Sequence, residues 1–445
     1  MNRPATLASI RFGTGLHPDR PALDAAAPLD SLAQEAMPAF RIEPWPDRLE
    51  RHRIRDHLRR TARDSDDMLE ADRALTRASL RDLRATLAGM VAAPVGFHAR
   101  LTWFWANHFA TEGRRPTLAR SRAAYIEDAI RPHVTGRFAD LLRAAVLHPV
   151  MLVYLDQHRS VGPNSPAGGR RGRGLNENLA REVLELHTLG AQGSYTQADV
   201  TEFARLLTGV TVSLEAGMIF DANLAEPAMV TLLGQRFGAR VRTLPQVTEA
   251  LDMLARHPDT AQHVATQLAT HFVSDAPEPA LVAHVAGAFR ASDGDLMAVY
   301  AAMLDHPAAW APPLAKVRPP MLWMAAAARA LGIPPQVIMD LSGPDTRRLL
   351  MGPMAQMGEG WEAVPSPAGH GLEGRYWISS QRLAARVTWA MALAQEWPGP
   401  RDPAAFLDAA LADAASEPLR RAAMGAESRA QAIGVILSSP DFNRC

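Results

Sequence analysis

Three guanidiniums lie within four residues of one another in the stretch GPNSPAGGRRGRG, at Arg170, Arg171 and Arg173, and this stretch runs straight into a helix. Five glycines and two prolines across 162–174 leave it without a packing face, so its side chains are free for a ligand. A helix N-terminus adds free backbone N–H groups and the positive end of a dipole. Combined with forked guanidinium donors, that pattern suits a phosphate, sulfate or carboxylate. Asn176, Asn178 and Arg181 extend the same polar surface and complete the candidate ligand-binding set. The competing reading is a solvated loop in an Arg-rich chain, because the Lys and Ser/Thr spacing of a Walker loop is absent.

Acid–base candidates follow within one helix. Glu182 and Glu185 are one turn apart, close enough for one carboxyl to raise the pKa of the other, and His187 lies two residues on. Pairing of the two acids with Arg181 or with the arginine loop is the alternative. His108, His148 and His187, with Asp156, Glu182 or Glu185, offer the nitrogen and oxygen donors of a zinc- or iron-type centre, so a divalent metal is a candidate cofactor. No H-E-x-x-H or i, i+4 His pair occurs, and His108 and His187 fall on apolar stripes. Core histidines bonded to backbone carbonyls are the other outcome. Ser165 and Ser194 lack the G-x-S-x-G elbow of a nucleophile, and no G-x-G-x-x-G follows a strand.

The elements that must position these groups are mostly helical. Asn176 is placed to cap a helix over 177–189, Gly190 to close it in the left-handed conformation, and Thr196 with Asp199 to open the next. At about 100° per residue, Leu179, Ala180, Val183, Leu184, Leu186 and His187 share one side, and Asn178, Arg181, Glu182 and Glu185 the other. Residues 47–92 read as helices with solvated charged faces. A buried helix over 97–110 carries Leu101, Phe104, Trp105 and His108 on one stripe, and Trp103, Phe104 and Trp105 read as core. VTVSL at Val210, GMIFD at Gly217 and MVTLLG at Met229 are the strand-like runs. Alanine- and leucine-rich helices return from 247, interrupted by a Gly/Pro/Met loop over 352–374. The expected fold is mainly α: a large multi-helix body with a small β meander near the middle. It divides into an N-terminal helical half at 1–209, the insertion at 210–240 and a C-terminal helical half at 241–445.

Charge is balanced, with 47 basic and 47 acidic residues, and the basic ones are arginines except for Lys316. Zero net charge gives no general attraction to phosphate backbones, which argues against nucleic acid as a partner. The one cysteine, Cys445, permits a reducing compartment. No apolar run approaches the roughly 20 residues of a membrane span, and MNRPATLASIRFGTG lacks an apolar h-region. The chain as given is expected to be soluble and cytoplasmic.

Several segments, in order, resemble the bacterial domain-of-unknown-function 1800 family. They are RFGTG near Phe12, LTWFWANHFAT at 101–111, HPVMLVYLD at 148–156, GRGLNENLAREVLELHTLG at 172–190 and the following GSYTQADVTEFARLLTG. HFVSD at His271, RPPMLW at Arg318, PSPAG at Pro365 and SPDFNR at Ser439 complete the match, which spans nearly the whole chain. The resemblance implies one family unit, no established reaction, members that can carry export signals, and neighbouring genes for alkaline-phosphatase- or sulfatase-like proteins as candidate partners. Family members often carry a His-acidic-Pro-Gly turn before a strand, whereas this chain has Ala225, Glu226, Pro227 and Ala228. Were that histidine catalytic, this member would lack the activity. The functional expectation is a binding or accessory protein that holds an anionic ligand or protein partner. The alternative is a metal-dependent hydrolase-type enzyme.

Overall fold

The computed structural model describes residues 5–20, 26–113, 117–168, 174–238, 242–397 and 402–445. Within these the protein is mainly helical with a small β insertion. Local chemistry sets the helix limits. Ser65 accepts from the Met68 amide at 3.2 Å, and Asp66 and Asp67 meet the dipole of the long helix Asp66–Ala92. That helix stops before Pro94, and Gly96, at φ +87°, turns the chain into the helix Phe97–His108. Leu101, Phe104, Trp105 and His108 are all buried there, as their spacing predicts. The Trp105 indole donates to the Tyr300 hydroxyl at 2.7 Å, and that hydroxyl donates to the Val134 carbonyl at 2.9 Å.

Apolar side chains collect in two cores. One runs from Phe12 and Trp45 through Phe104, Leu184 and Phe203 to Phe272 and Trp310. The other joins Ile10, Leu83 and Leu87 to Trp323, Trp389, Phe406 and Phe442. Trp103 packs against both, so the helix Phe97–His108 forms their common wall.

The β insertion is two hairpins in separate sheets rather than one continuous meander. β1 (Val210–Ser213) pairs antiparallel with β2 (Gly217–Phe220), and β3 (Val230–Leu232) with β4 (Gln235–Phe237). Leu233 and Gly234, both at positive φ, form the two-residue turn of the second hairpin. β4, with the sequence QRF, is too short and polar to show as a strand by pattern.

The helix expected over 177–189 begins as α over Asn178–Glu182 and widens into a π turn over Val183–His187. The Thr188 hydroxyl donates to the Val183 carbonyl at 2.6 Å, and Gly190 at φ +85° ends the element as expected. Thr196 and Asp199 make the expected capping box for Gln197–Leu207.

Buried arginines tie the irregular joints. Arg11 donates to the carbonyls of Ala309, Ala311 and Pro313; Arg329 donates to those of Gly15, Val91, Ala93 and Pro94. Backbone carbonyls outside helices need donors when buried, and a five-donor fork supplies several at once. Among the described residues no helix is long and apolar enough to cross a membrane.

Candidate functional site

The arginines singled out by sequence, Arg170, Arg171 and Arg173, lie outside the described residues. Both stems of their loop are fixed. Gly162 N–H donates to the Leu224 carbonyl at 2.8 Å, Ala167 N–H to Asn223 at 3.0 Å, and Val161 N–H to Gly174 at 3.0 Å. Glu226, 1% exposed, accepts from both the backbone and the side-chain nitrogen of Asn164. A Cβ at Gly162 would sit 2.6 Å from the Glu226 amide, so only glycine allows this approach. The acid of the turn that departs from the family pattern is therefore a strut for the loop.

Asn176 makes the expected first-turn bond, its Oδ1 accepting from the Asn178 amide at 2.9 Å, although the helix itself starts one residue later, at Asn178; its Nδ2 donates to the Asp156 carbonyl at 3.3 Å. Asn178 is exposed. Arg181 donates to Glu177 at 3.2 Å and to Gln197 at 2.9 Å, so its hydrogen bonds do not go to Glu182 or Glu185. Burial, then the charge of Glu185, pushes the Glu182 carboxyl up, with Arg181 opposing.

The histidines proposed as ligands have structural roles. His108 donates from Nε2 to the His187 carbonyl at 3.1 Å, and His263 donates to the Leu186 carbonyl at 2.9 Å. These are carbonyls at the end of the π turn. His187 points coreward as expected; its ring lies 6.1 Å from that of His108 and neither ring nitrogen has a hydrogen-bond partner. Burial holds its pKa at about 3. His148 caps the helix Pro149–Tyr154, its Nδ1 accepting from the Val150 amide at 3.1 Å, while its Nε2 lies 3.5 Å from Asp128. The same His-Pro device recurs at His17, His257 and His306, each Nδ1 accepting from the amide two residues on. Asp156 sits at φ +57° after the same helix, its carboxylate 3.7 Å from Arg159. Among the described residues, no three His, Cys, Asp or Glu side chains gather as a metal-holding group.

The structure instead brings together groups that sequence reasoning did not nominate. At the junction of the two cores is a pocket of about 20 Å³ lined by Arg100, His271, Lys316, Glu359, His370 and Cys445, among others. By that measure it admits about one water-sized group, since one water needs roughly 10–15 Å³. The helix Phe97–His108 supplies Arg100, Trp103 and Asn107, and His271 comes from the last turn of Pro258–Phe272. Arg100 donates to the carbonyls of Ile10, Arg11 and Gly13, lies 5.0 Å over the Phe272 ring and approaches the Cys445 sulfur at 3.9 Å. Lys316 pairs with Asp275 and donates to the Leu372 carbonyl at 2.8 Å. Asn107 and His370 exchange hydrogen bonds at 2.9 and 2.7 Å, and His370 Nδ1 is 3.1 Å from the Tyr376 hydroxyl.

Buried guanidiniums lie close by. Arg318, between the lining residues Val317 and Pro319, donates to the Phe442 carbonyl at 2.7 Å, and Arg386 donates to Asn443 and to the Arg318 carbonyl, both at 2.8 Å. Burial holds the Arg318 guanidinium at about 10, with Cys445 raising it and Arg100 lowering it, so it stays protonated at neutral pH. Glu359 accepts from Trp103 Nε1 at 2.8 Å and from the Met321 amide at 2.7 Å, and burial pushes its carboxyl up. His271 is held well below its usual range by burial and by the charges of Arg100 and Lys316, and His370 is held at about 4 by burial and by Arg122 and Arg382.

Several residues of this site fall in or next to the segments that carry the family resemblance, the one trace of it in the sequence. LTWFWANHFAT contributes Trp103 and Asn107, HFVSD contributes His271 and the Lys316 partner Asp275, and RPPMLW contributes Pro319; His370 follows PSPAG and Cys445 follows SPDFNR. No curated protein and no solved structure matches the chain. A model of the family described as "Protein of unknown function (DUF1800)" matches residues 8–444, nearly the whole chain, and the chain belongs to that family.

Proposed function

We propose that this is a binding protein that takes one oxygen of an oxyanion or carboxylate, or a halide-sized anion, into the pocket between Arg100, Lys316 and His271. One observation carries the reading. Arg100 and Lys316 line the pocket beside Glu359, and the buried guanidiniums of Arg11, Arg318 and Arg386 share with Arg100 one charged neighbour, Cys445. The Nε groups of Arg11, Arg100 and Arg386 and one terminal nitrogen of Arg318 are buried without hydrogen-bond partners. Buried donors without partners are costly, and a bound anion offsets that cost. Arg170, Arg171 and Arg173 are proposed separately as a contact for an anionic ligand or a protein partner.

The test is thermal unfolding with phosphate, sulfate, acetate and chloride at matched ionic strength. A ligand at 100 times its Kd adds about 2.7 kcal/mol. With an unfolding entropy of about 2.1 cal/mol/K per residue over 445 residues, that is a rise in Tm of about 3 °C. The rise should disappear in Lys316→Met and shrink in His370→Asn, read as the anion-dependent increment rather than as basal Tm. Equal increments in wild type and both variants, or no increment from any anion, would overturn the proposal. Loss of the increment in Arg171→Ala alone would move the site to the loop.

A further inference from the structure

A second cavity, unconnected with the anion reading, lies in the C-terminal part of the chain. Its volume is about 580 Å³, within the roughly 300–1,000 Å³ range of small-molecule sites. The walls come from Pro335–Met339, the π turn Thr346–Met351, Gly352–Gln356 and Ser380–Glu396, and include Met324, Ile338, Leu349, Trp389, Leu393 and Trp397. The π turn helps to make this wall apolar. It leaves Leu350 buried and Leu349 half-buried against the cavity, and the Leu349 carbonyl accepts the Trp389 indole N–H at 2.8 Å. The Trp397 indole donates to the Leu331 carbonyl at 3.3 Å. Both tryptophans therefore offer ring surface rather than a donor.

The polar groups at the edge are unequal. Arg348 is committed to Asp345 at 3.3 Å and Glu396 at 3.1 Å. The guanidinium of Arg347, exposed and also lining the cavity, has no ion pair or hydrogen bond among the described residues. An apolar trough with one uncommitted guanidinium at its edge complements a molecule with an apolar body and one anionic end. We infer that this cavity binds a long-chain carboxylic acid as a single molecule, its chain along Leu349, Trp389 and Leu393 and its carboxylate on Arg347. A concave site of this volume fits one chain, whereas a bilayer surface is met by protruding apolar side chains.

Isothermal titration with dodecanoate below its micellar concentration tests the inference, with dodecan-1-ol as the uncharged counterpart. One dodecanoate per chain is expected. Arg347→Gln should weaken dodecanoate about tenfold and dodecan-1-ol less than about twofold. Ala392→Trp, at an exposed lining position, should abolish binding of both while leaving the melting curve unchanged. Lys316→Met, in the other pocket, should leave dodecanoate affinity as in wild type. No binding of dodecanoate, equal affinity in Arg347→Gln, or undiminished binding in Ala392→Trp would overturn it. So would co-sedimentation with phosphatidylglycerol vesicles that Ala392→Trp abolishes, since the occupant would then be a membrane.

Discussion

Mild acid should destabilise this protein through its histidines before its carboxylates titrate. His52 and His370 are held at about 4, and His98 and His187 at about 3, against an ordinary value of 6.5; in each, burial is the largest cause. All four are at most 7% exposed. Because the folded pKa lies below the unfolded one, the unfolded chain binds more protons below 6.5 and stability rises with pH. Each contribution is complete above the unfolded value and is lost as pH falls from 6.5 toward the folded value. Between about pH 7.5 and 5.5 one such histidine removes about 1.4 kcal/mol, so four remove roughly 5–6 kcal/mol, comparable to the net stability of many domains. Glu182, Glu359 and Glu362, whose carboxyls are pushed up by burial, act in the opposite direction and blunt the total. A single-site comparison removes that ambiguity. His187→Leu stays close to the imidazole in volume without a titrating group, and His187 makes no ring hydrogen bond to lose. Urea unfolding at about pH 7.5 and 5.5 should show the variant less sensitive to acid by about 1.4 kcal/mol. A gap between variant and wild type that stays constant with pH would refute the assignment of His187 as a neutral, desolvated core group.

Two further outcomes follow from the packing. Asp82→Ala removes one of the two carboxylate partners of a fully buried Arg48, each at 2.6 Å, and leaves Glu43; it should cost about 1–3 kcal/mol, read as a lower urea midpoint at unchanged slope. Thr196→Ala dismantles the capping box before Gln197–Leu207 and should cost about 1 kcal/mol by the same measurement.

The helices were readable because their stripes and caps are local. Leu101, Phe104, Trp105 and His108 share a face whatever surrounds them, and Thr196 needs only Asp199 to make its box. The π turn at Val183–His187 was not readable, since its end carbonyls rely on His108 and His263, each more than 70 residues away. His148 resembled a ligand by residue type, yet the proline after it marks a cap whose Nδ1 must be unprotonated; three other His-Pro pairs carried the same signal. The junction pocket was the least accessible by pattern. Arg100, His271, Lys316, Glu359, His370 and Cys445 share no spacing, and only the packing of two cores on one helix brings them together. The arginine content pointed toward anions at the surface, whereas Arg11, Arg100 and Arg329 are used mainly to satisfy backbone carbonyls inside.

Crystals soaked in bromide and measured at the bromine absorption edge address the central claim most directly. An anomalous peak within hydrogen-bonding distance of Arg100 or Lys316, in the pocket lined by His271 and His370, is the predicted result. Peaks confined to exposed guanidiniums, with none in that pocket, would contradict it.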